Sequence, residues 1–140
     1  MQQPPAPVVD HDSASFWQGL RDRRVVVQAC PSCGARRFPP GPSCPWCGAP
    51  GARDEDCEGT GTVYSWITVR RPLDPAFADE VPYTLAAVDL DDGPRIVGRL
   101  EDVAQPHIGM EVTARFHDHD GWTELRFGPV NDEVATGADA

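Results

Sequence analysis

Residues 30–47 read CPSCGARRFPPGPSCPWC, and this stretch contains four of the five cysteines of the chain. The cysteines form two C-x-x-C pairs, Cys30 with Cys33 and Cys44 with Cys47, and a glycine follows each pair. A C-x-x-C-G turn points two thiolates at one cation, and its glycine tolerates the positive φ on which the turn ends. The spacing therefore predicts a four-cysteine metal site in a rubredoxin-like ribbon.

Zinc is the metal that this ligand set favours, bound tetrahedrally with metal–sulfur distances of about 2.3 Å. Iron in the same cage is the alternative, and the sequence does not separate the two metals. Because four thiolates leave no open position for water or substrate, we expect one structural ion that stabilises a module too small to bury a core alone. Cys57 has no partner cysteine nearby, and we expect a buried or incidental thiol.

The charge of the chain is divided unevenly around a net value of −10 over 140 residues. Residues 16–53 contain six arginines and one acidic residue, whereas residues 57–140 contain six arginines and sixteen acidic residues. The first part is either a locally basic face of an acidic protein or a surface that meets phosphates or an acidic partner. There is no lysine, so any anion contact would use the forked guanidinium of arginine.

The start of the chain, MQQPPAPVVDHD, lacks the basic flank and the apolar core of a secretory signal. No apolar run approaches the roughly 20 residues that span a bilayer. Cysteines in a chain without export signals favour bound metal or reduced thiols over disulfides. We therefore expect a cytoplasmic protein with no membrane association.

The pattern along the chain predicts a mainly β protein, with an N-terminal helix and a zinc ribbon followed by a barrel. Ser13 is a plausible N-cap for the helix, and VVVQ (25–28) is typical of a strand that leads to the first cysteine pair. GAPGARDEDCEGTG (48–61) is predicted to be a linker, so we expect separate ribbon and barrel cores. The predicted segments are a disordered N-terminus (1–12), the helix (13–24), the ribbon (25–52), the barrel (57–130) and a flexible acidic C-terminus (131–140).

Five stretches with a period of two predict the barrel strands, at 62–69, 83–90, 94–100, 110–117 and 122–127. In the first strand, the alternation places Val63, Ile67 and Val69 on one face, with Tyr64 and Trp66 on the other. Tight turns at DDG (91–93) and DHDG (118–121), with a longer connection between the third and fourth strands, favour a small closed barrel of the OB type.

Catalytic motifs are absent from the sequence. There is no G-x-S-x-G, no phosphate-cradling glycine loop and no H-E-x-x-H. His117 and His119 are expected in a solvated hairpin turn, and His107 in a loop. We find no nucleophile–base pair and therefore expect no independent catalysis.

The order of these segments closely resembles the DUF35 family of zinc-ribbon and OB-fold proteins. The resemblance covers residues 13–130, and it is carried by SFWQGLRDRRVVVQACPSCGARRFPPGPSCPWCG, GTGTVYSWITVRRP, VPYTLAAVDLDDGPRIVGRL and IGMEVTARF. It implies a non-catalytic subunit that pairs with a thiolase-like, lipid-transfer-protein-type partner. Such assemblies act as acyl-CoA acyltransferases or aldolases, including retro-aldolases of steroid side-chain degradation, and the OB domain is thought to help hold or channel the acyl-CoA thioester.

Two sets of residues fit that implied role. Coenzyme A carries phosphates, for which arginine is suited, and the candidates are Arg36, Arg37, Arg70 and Arg71. Solvated loop charges or partner salt bridges are the alternative for each. Residue types enriched at binding hot spots predict a partner interface on the helix and ribbon, at Phe16, Trp17, Phe38 and Trp46. The alternatives are that Phe16 and Trp17 pack against the body of the protein and that Phe38 and Trp46 pack within the ribbon.

Binding of single-stranded nucleic acid is an alternative function, because ribbons and OB barrels both serve it. Tyr64, Trp66 and Trp122 could offer stacking platforms. The net charge of −10 in the barrel half argues against it, since a strand-binding groove should be basic. A structural scaffold without any ligand contact is the third possibility.

Overall fold

The computed structural model describes residues 4–130, beginning with one helix and a small sheet. Helix α1 spans Ala14–Arg21 and is followed by β1 (Val25–Ala29), β2 (Arg36–Arg37) and β3 (Arg53–Cys57). The three strands form one sheet in the order β2-β1-β3. The segment predicted to be a flexible C-terminus lies outside the described residues, as do the first three residues of the predicted disordered N-terminus.

The remaining strands close into a barrel with the order β4-β5-β6-β8-β7, so the predicted five-stranded OB-type barrel is confirmed. All neighbouring pairs are antiparallel except β6 and β8, which run parallel over a short stretch. A 3-10 turn at Pro75–Phe77 interrupts the connection between the first two barrel strands. The barrel strands are β4 (Thr60–Val69), β5 (Tyr83–Leu90), β6 (Arg95–Leu100), β7 (Glu111–His119) and β8 (Trp122–Pro129).

Helix α1 buries one face, and Phe16, Gly19 and Leu20 are its buried residues. Ser13 occupies the predicted N-cap position, but its hydroxyl does not bond to the helix. Instead it accepts a hydrogen bond from the Asp10 amide at 3.0 Å, while the Ser13 amide donates to the Asp10 carboxylate at 2.8 Å. These two hydrogen bonds therefore hold the segment from Asp10 to Ser13, just before the helix begins.

Strand β3 corrects the prediction of a linker. Its five residues pair with β1 along the full length of both strands, from Val25 opposite Cys57 to Ala29 opposite Arg53. The apolar β1 needs a hydrogen-bonding neighbour on each side, and β3 supplies one. Most of its side chains are charged and face water, which is how natural proteins protect an edge strand from further pairing.

A β-bulge in β4 corrects the predicted facing of that strand. Val63 pairs with Val88 and Ser65 pairs with Ala87, so Tyr64 is an extra residue and the alternation reverses after it. Trp66 lies opposite the buried Ala86, on the inward face, whereas Ile67 is 60% exposed. A single inserted residue moves every later side chain to the opposite face, and period-two reasoning cannot locate such an insertion.

The ribbon and the barrel share one hydrophobic core, so the expectation of two separate cores was wrong. Phe16 and Leu20 of α1, together with Val25 and Val27 of β1, belong to the same buried cluster as the barrel interior. The barrel's contribution is Val63, Ala86, Val88, Leu90, Ile96, Leu100, Val112, Leu125 and Phe127. A sheet and a helix this small cannot bury their apolar faces alone, and the barrel covers them.

The shared core predicts that a helix residue governs the stability of the barrel. Leu20→Ala should lower the free energy of unfolding by about 2–5 kcal/mol, because Leu20 is fully buried. Urea denaturation followed by tryptophan fluorescence measures this change. The matched control is Val8→Ala at a largely exposed position, expected to stay within about 0.5 kcal/mol of the parent chain. An unchanged midpoint for Leu20→Ala would contradict a common core.

Candidate metal centre and surrounding surfaces

Two turns of matching geometry carry the four cysteines, one after β1 and one before β3. In the first, the Cys30 amide donates to Ala35 O and the Gly34 amide to Cys30 O, both at 2.9 Å. In the second, the Cys44 amide donates to Ala49 O and the Gly48 amide to Cys44 O, again at 2.9 Å. The two turns, which we call the first and second knuckles, end at Gly34 (φ 80°) and Gly48 (φ 78°), where an L-residue would be strained.

The knuckles bring the four sulfur atoms together in a group that can hold one metal ion. All four Sγ atoms lie within 4.8 Å of one another. Cys30 Sγ is 3.6 Å from Cys47 Sγ, and Cys33 Sγ is 3.7 Å from Cys44 Sγ. A tetrahedron with metal–sulfur distances of about 2.3 Å has sulfur–sulfur edges of about 3.8 Å. The ligand set therefore fits Zn²⁺, and the predicted four-cysteine zinc ribbon is confirmed.

Backbone amides favour the thiolate form at the first cysteine of each knuckle. The amides of Cys33 and Ser32 donate to Cys30 Sγ at 3.4 and 3.3 Å, and the Cys33 bond chiefly lowers the pKa of Cys30 to about 6. The amide of Cys47 lowers the pKa of Cys44 in the same way. The Ala49 amide favours the Cys47 thiolate, but hydrogen bonds with the neighbouring sulfurs outweigh it and raise that pKa to about 11. Four crowded thiolates thus need a cation between them.

Arg36, the first residue of β2, joins the ribbon to the barrel. Its Nε donates to Glu55 Oε1 at 2.9 Å, and its Nη1 donates to the backbone carbonyl of Asp92 in the β5–β6 turn. Cys57 lies beside this group, with its sulfur 3.6 Å from Arg36 Nη1. Cys57 is buried and outside the metal group, and burial raises the pKa of its thiol.

The four arginines predicted to bind an anion are not brought together. Arg36 is held as described above, and Arg37 is 3% exposed and bonded inside the ribbon. Arg70 lines a recess of about 550 Å³ at one side of the barrel. Arg71 follows it in the chain and is exposed. The recess is otherwise lined by Trp66, Thr68, Pro82, Thr84, Ala104, Gln105 and Pro106.

The aromatic residues predicted at the partner interface fall in two places. Phe16 is buried, with ring centroids 5.0 Å from both Trp17 and Phe38. Trp17 and Phe38 keep part of their surface and line a groove of about 270 Å³, whose other wall includes Leu85 and Val97 of the barrel. Trp46 projects from the second knuckle and is 67% exposed, so it does not pack within the ribbon.

Two of the three predicted stacking platforms contact a cation or another ring within the protein. The Arg95 guanidinium lies 3.4 Å from the Tyr64 ring centroid. Trp122 meets Trp17 edge to face at 6.0 Å and stacks on His119 at 4.4 Å. The third predicted platform, Trp66, lines the recess that also contains Arg70.

His119 corrects the expectation that the hairpin histidines are solvated. Strand β7 continues through this residue, and its Nε2 lies 2.8 Å from Glu124 Oε1 on β8. Glu124 also accepts from Arg126 at 3.0 Å. Burial raises the pKa of Glu124, but the bonds from Arg126 and His119 outweigh it, so the net pKa is lowered. His117 is exposed, as expected.

Within residues 4–130, none of the helices has the length and apolar character needed to cross a lipid bilayer.

The structure and the metal centre define a protein class, a zinc ribbon joined to an OB-fold barrel. Residues 17–52 match a family model described as the ChsH2 rubredoxin-like zinc ribbon domain, and residues 54–117 match the ChsH2 C-terminal OB-fold domain. A DUF35 domain-containing scaffold protein of Pyrococcus furiosus is 36% identical over 100 residues, covering 69% of this chain and 72% of the relative. The chain belongs to the DUF35 family.

Longer relatives are described as hydratase subunits. A probable enoyl-CoA hydratase alpha subunit of Thermomonospora curvata is 41% identical over 77% of this chain and 34% of its own length. The 3-oxo-4,17-pregnadiene-20-carboxyl-CoA hydratase alpha subunit of Mycobacterium tuberculosis is 30% identical over 88% of this chain and 39% of its own length. The chain therefore spans a third to two fifths of these relatives.

One solved structure gives the same assignment, and a second shares the fold. The match to a chain of a structure described as the Ltp2-ChsH2(DUF35) aldolase has a TM-score of 0.79 at 38% identity, and it covers 89% of this chain and 98% of the other. A DUF35 protein of unknown function from Sulfolobus solfataricus matches with a TM-score of 0.59 at 14% identity, which shows the shared fold.

The metal centre predicts about one equivalent of zinc per chain in the purified protein. Cys44→Ser should abolish stoichiometric zinc and expose the Gly34 and Gly48 amides to exchange, while the helix, the ribbon sheet and the barrel stay folded on their shared core. Elemental analysis and amide hydrogen exchange measure the two effects. The matched control is Cys57→Ser, which should keep its zinc. A metal-free wild-type protein, or full zinc in Cys44→Ser, would refute the site, and a red wild-type protein would indicate iron.

Proposed function

We propose that this protein is a non-catalytic zinc-binding subunit that associates with a thiolase-superfamily partner. In that complex it helps to bind or channel an acyl-CoA thioester, for an acyltransferase or a retro-aldolase acting on steroid side chains. The observation that carries the proposal is the match at 38% identity to nearly the whole DUF35 chain of a structure described as an aldolase. The relatives described as CoA-ester hydratase subunits support the same substrate class.

The chemistry of the described residues supports an accessory role. The four thiolates fill a tetrahedral shell, so a bound zinc ion would have no open position at which to activate water. Within residues 4–130, no serine or cysteine side chain is hydrogen-bonded to a histidine, and the ring of His119 is engaged by Glu124 and Trp122 instead. A nucleophile activated by a neighbouring base is thus missing from the described part of the chain.

Exposed aromatic surface supports a partner on the helix and ribbon side. Trp46 is largely exposed on a knuckle that the metal would hold rigid, and rigid aromatic groups lose little conformational entropy on binding. Trp17 and Phe38 line the apolar groove between α1 and the barrel. A protein surface that matched the groove and Trp46 together would bury a hydrophobic centre with a polar rim.

The recess at Arg70 supports acyl-CoA contact. Its volume of about 550 Å³ suits part of a cofactor-sized ligand, and it combines one guanidinium with the indole of Trp66 and the hydroxyls of Thr68 and Thr84. Within residues 4–130, Arg70 has no carboxylate partner. A guanidinium of this kind can bind a phosphate through two parallel hydrogen bonds.

The partner interface predicts a selective loss of association. Trp46→Ala should weaken binding to a co-expressed thiolase-like protein from the same genome by at least about tenfold, the range of an interface hot spot. Association is measured by sedimentation or interferometry on zinc-loaded protein. The control is Leu73→Ala, which removes an apolar side chain that is 92% exposed on the barrel side. If Trp46→Ala binds the partner as tightly as Leu73→Ala does, the interface lies away from the second knuckle.

The recess predicts a separate loss of ligand binding. Arg70→Ala should reduce the affinity of the assembled complex for a CoA ester about tenfold, the value of one charge-assisted contact, and leave partner association unchanged. Arg53→Ala, which removes an exposed guanidinium of β3, is the control. An unchanged affinity of Arg70→Ala for the CoA ester would contradict ligand binding at the recess. Salt-sensitive binding of single-stranded DNA would favour the nucleic-acid alternative, and binding of neither ligand would favour a scaffold.

A further inference from the structure

The second knuckle lies in a segment with little structure of its own. Residues 39–51 contain no helix and no strand, and a single bridge joins Ser43 to Pro50. Cys44 is the one buried side chain of the segment. Two of the four metal ligands therefore stand on a loop that no apolar core holds in place, although a closed metal shell needs its ligands in defined positions.

A buried polar pair, Gln28 of β1 and Arg37 of β2, holds both ends of this loop. Arg37 Nε donates to Gln28 Oε1 at 2.9 Å, and Arg37 Nη2 donates to the carbonyls of Gly41 at 3.0 Å and Gly51 at 2.9 Å. Gln28 Oε1 also accepts from the Gly41 amide at 2.8 Å. Gly41 precedes Cys44 and Gly51 follows Cys47, so one side chain spans the segment that carries both ligands.

The burial of Arg37 marks this contact as more than a surface bond. Arg37 is 3% exposed and Gln28 is 7% exposed. None of the three acceptors is a carboxylate, and Arg37 Nη1 is buried without a hydrogen-bond partner among the described residues. A buried guanidinium lacking an anionic partner is destabilising by itself. Zn²⁺ with four thiolates would carry a formal charge of −2 in the same ribbon, and this anion would offset the cation.

We propose that Arg37, supported by Gln28, is the positioning residue of the metal centre. It ties the two ends of the loop together at Gly41 and Gly51 before metal arrives, so that the segment carrying Cys44 and Cys47 is held in place while the knuckle itself closes around the metal. The fork of the guanidinium is required, because Nε and Nη2 bond to different segments at the same time. Arg37 thus acts on the metal through the loop and is not itself a ligand.

Zinc affinity tests the proposal by competition with a chromophoric chelator. Arg37→Met should weaken zinc binding about 10–100-fold, the usual effect of removing an outer-shell partner. Arg37→Lys should weaken zinc binding nearly as much, because an ammonium group keeps the charge but cannot donate to two segments in the geometry of the forked guanidinium. The matched control is Arg53→Met, which removes an exposed guanidinium opposite Ala29 and should keep parent affinity. Parent-like affinity in Arg37→Met, or full rescue by Arg37→Lys, would overturn the proposal.

Hydrogen exchange in the metal-free wild-type chain tests the same point without a mutation that could unfold the ribbon. The Gly41 amide donates to Gln28 within the polar pair, whereas the Gly48 amide donates to Cys44 within the knuckle. On removal of zinc, the Gly41 amide should keep its protection to within about tenfold, while the Gly48 amide loses more than that. Equal loss at both amides would show that the loop is ordered by metal alone and would overturn the proposal.

Discussion

Strand β1 is the element on which the rest of the structure depends, because it is buried along its whole length. All five residues from Val25 to Ala29 are buried, and the strand has a neighbour on each side. Val25 and Val27 enter the common core, while Val26 lies against Gly19 of α1, where an added Cβ would come within 2.5 Å of its methyl group. Cys30 follows the strand directly, so the packing of β1 fixes where the metal centre begins.

Much of this organisation can be predicted from the sequence, because some signals are local. The cysteine spacing specifies the metal site, and the alternation in β7 specifies a half-buried strand. The features that were missed depend on tertiary neighbours. Nothing in the local sequence marks Tyr64 as an inserted residue. The charged residues of β3 do not have the pattern of a strand, and β3 forms because it pairs with β1. Gln28 and Arg37 look like surface residues until the fold brings both ends of the second knuckle to them.

Several arginines of this chain are used to hold the fold together and are therefore not free to bind a ligand. Arg36, Arg37 and Arg126 are engaged by internal acceptors, which leaves them poorly suited to capture a ligand. Among the predicted site residues, Trp46 on the knuckle, Arg70 at the recess and Arg71 beside it remain exposed. A four-thiolate metal group and a few exposed anchors are in keeping with the accessory role proposed above.

Scanning calorimetry of the zinc-loaded protein tests most directly whether helix, ribbon and barrel form one body. The buried cluster shared by α1, β1 and the barrel predicts a single transition, with a calorimetric enthalpy equal to the van't Hoff enthalpy. Because Leu20 and Val27 lie in that cluster, the ribbon sheet cannot unfold without exposing the barrel interior. Two resolved transitions, with the ribbon melting first and the barrel later, would contradict the account.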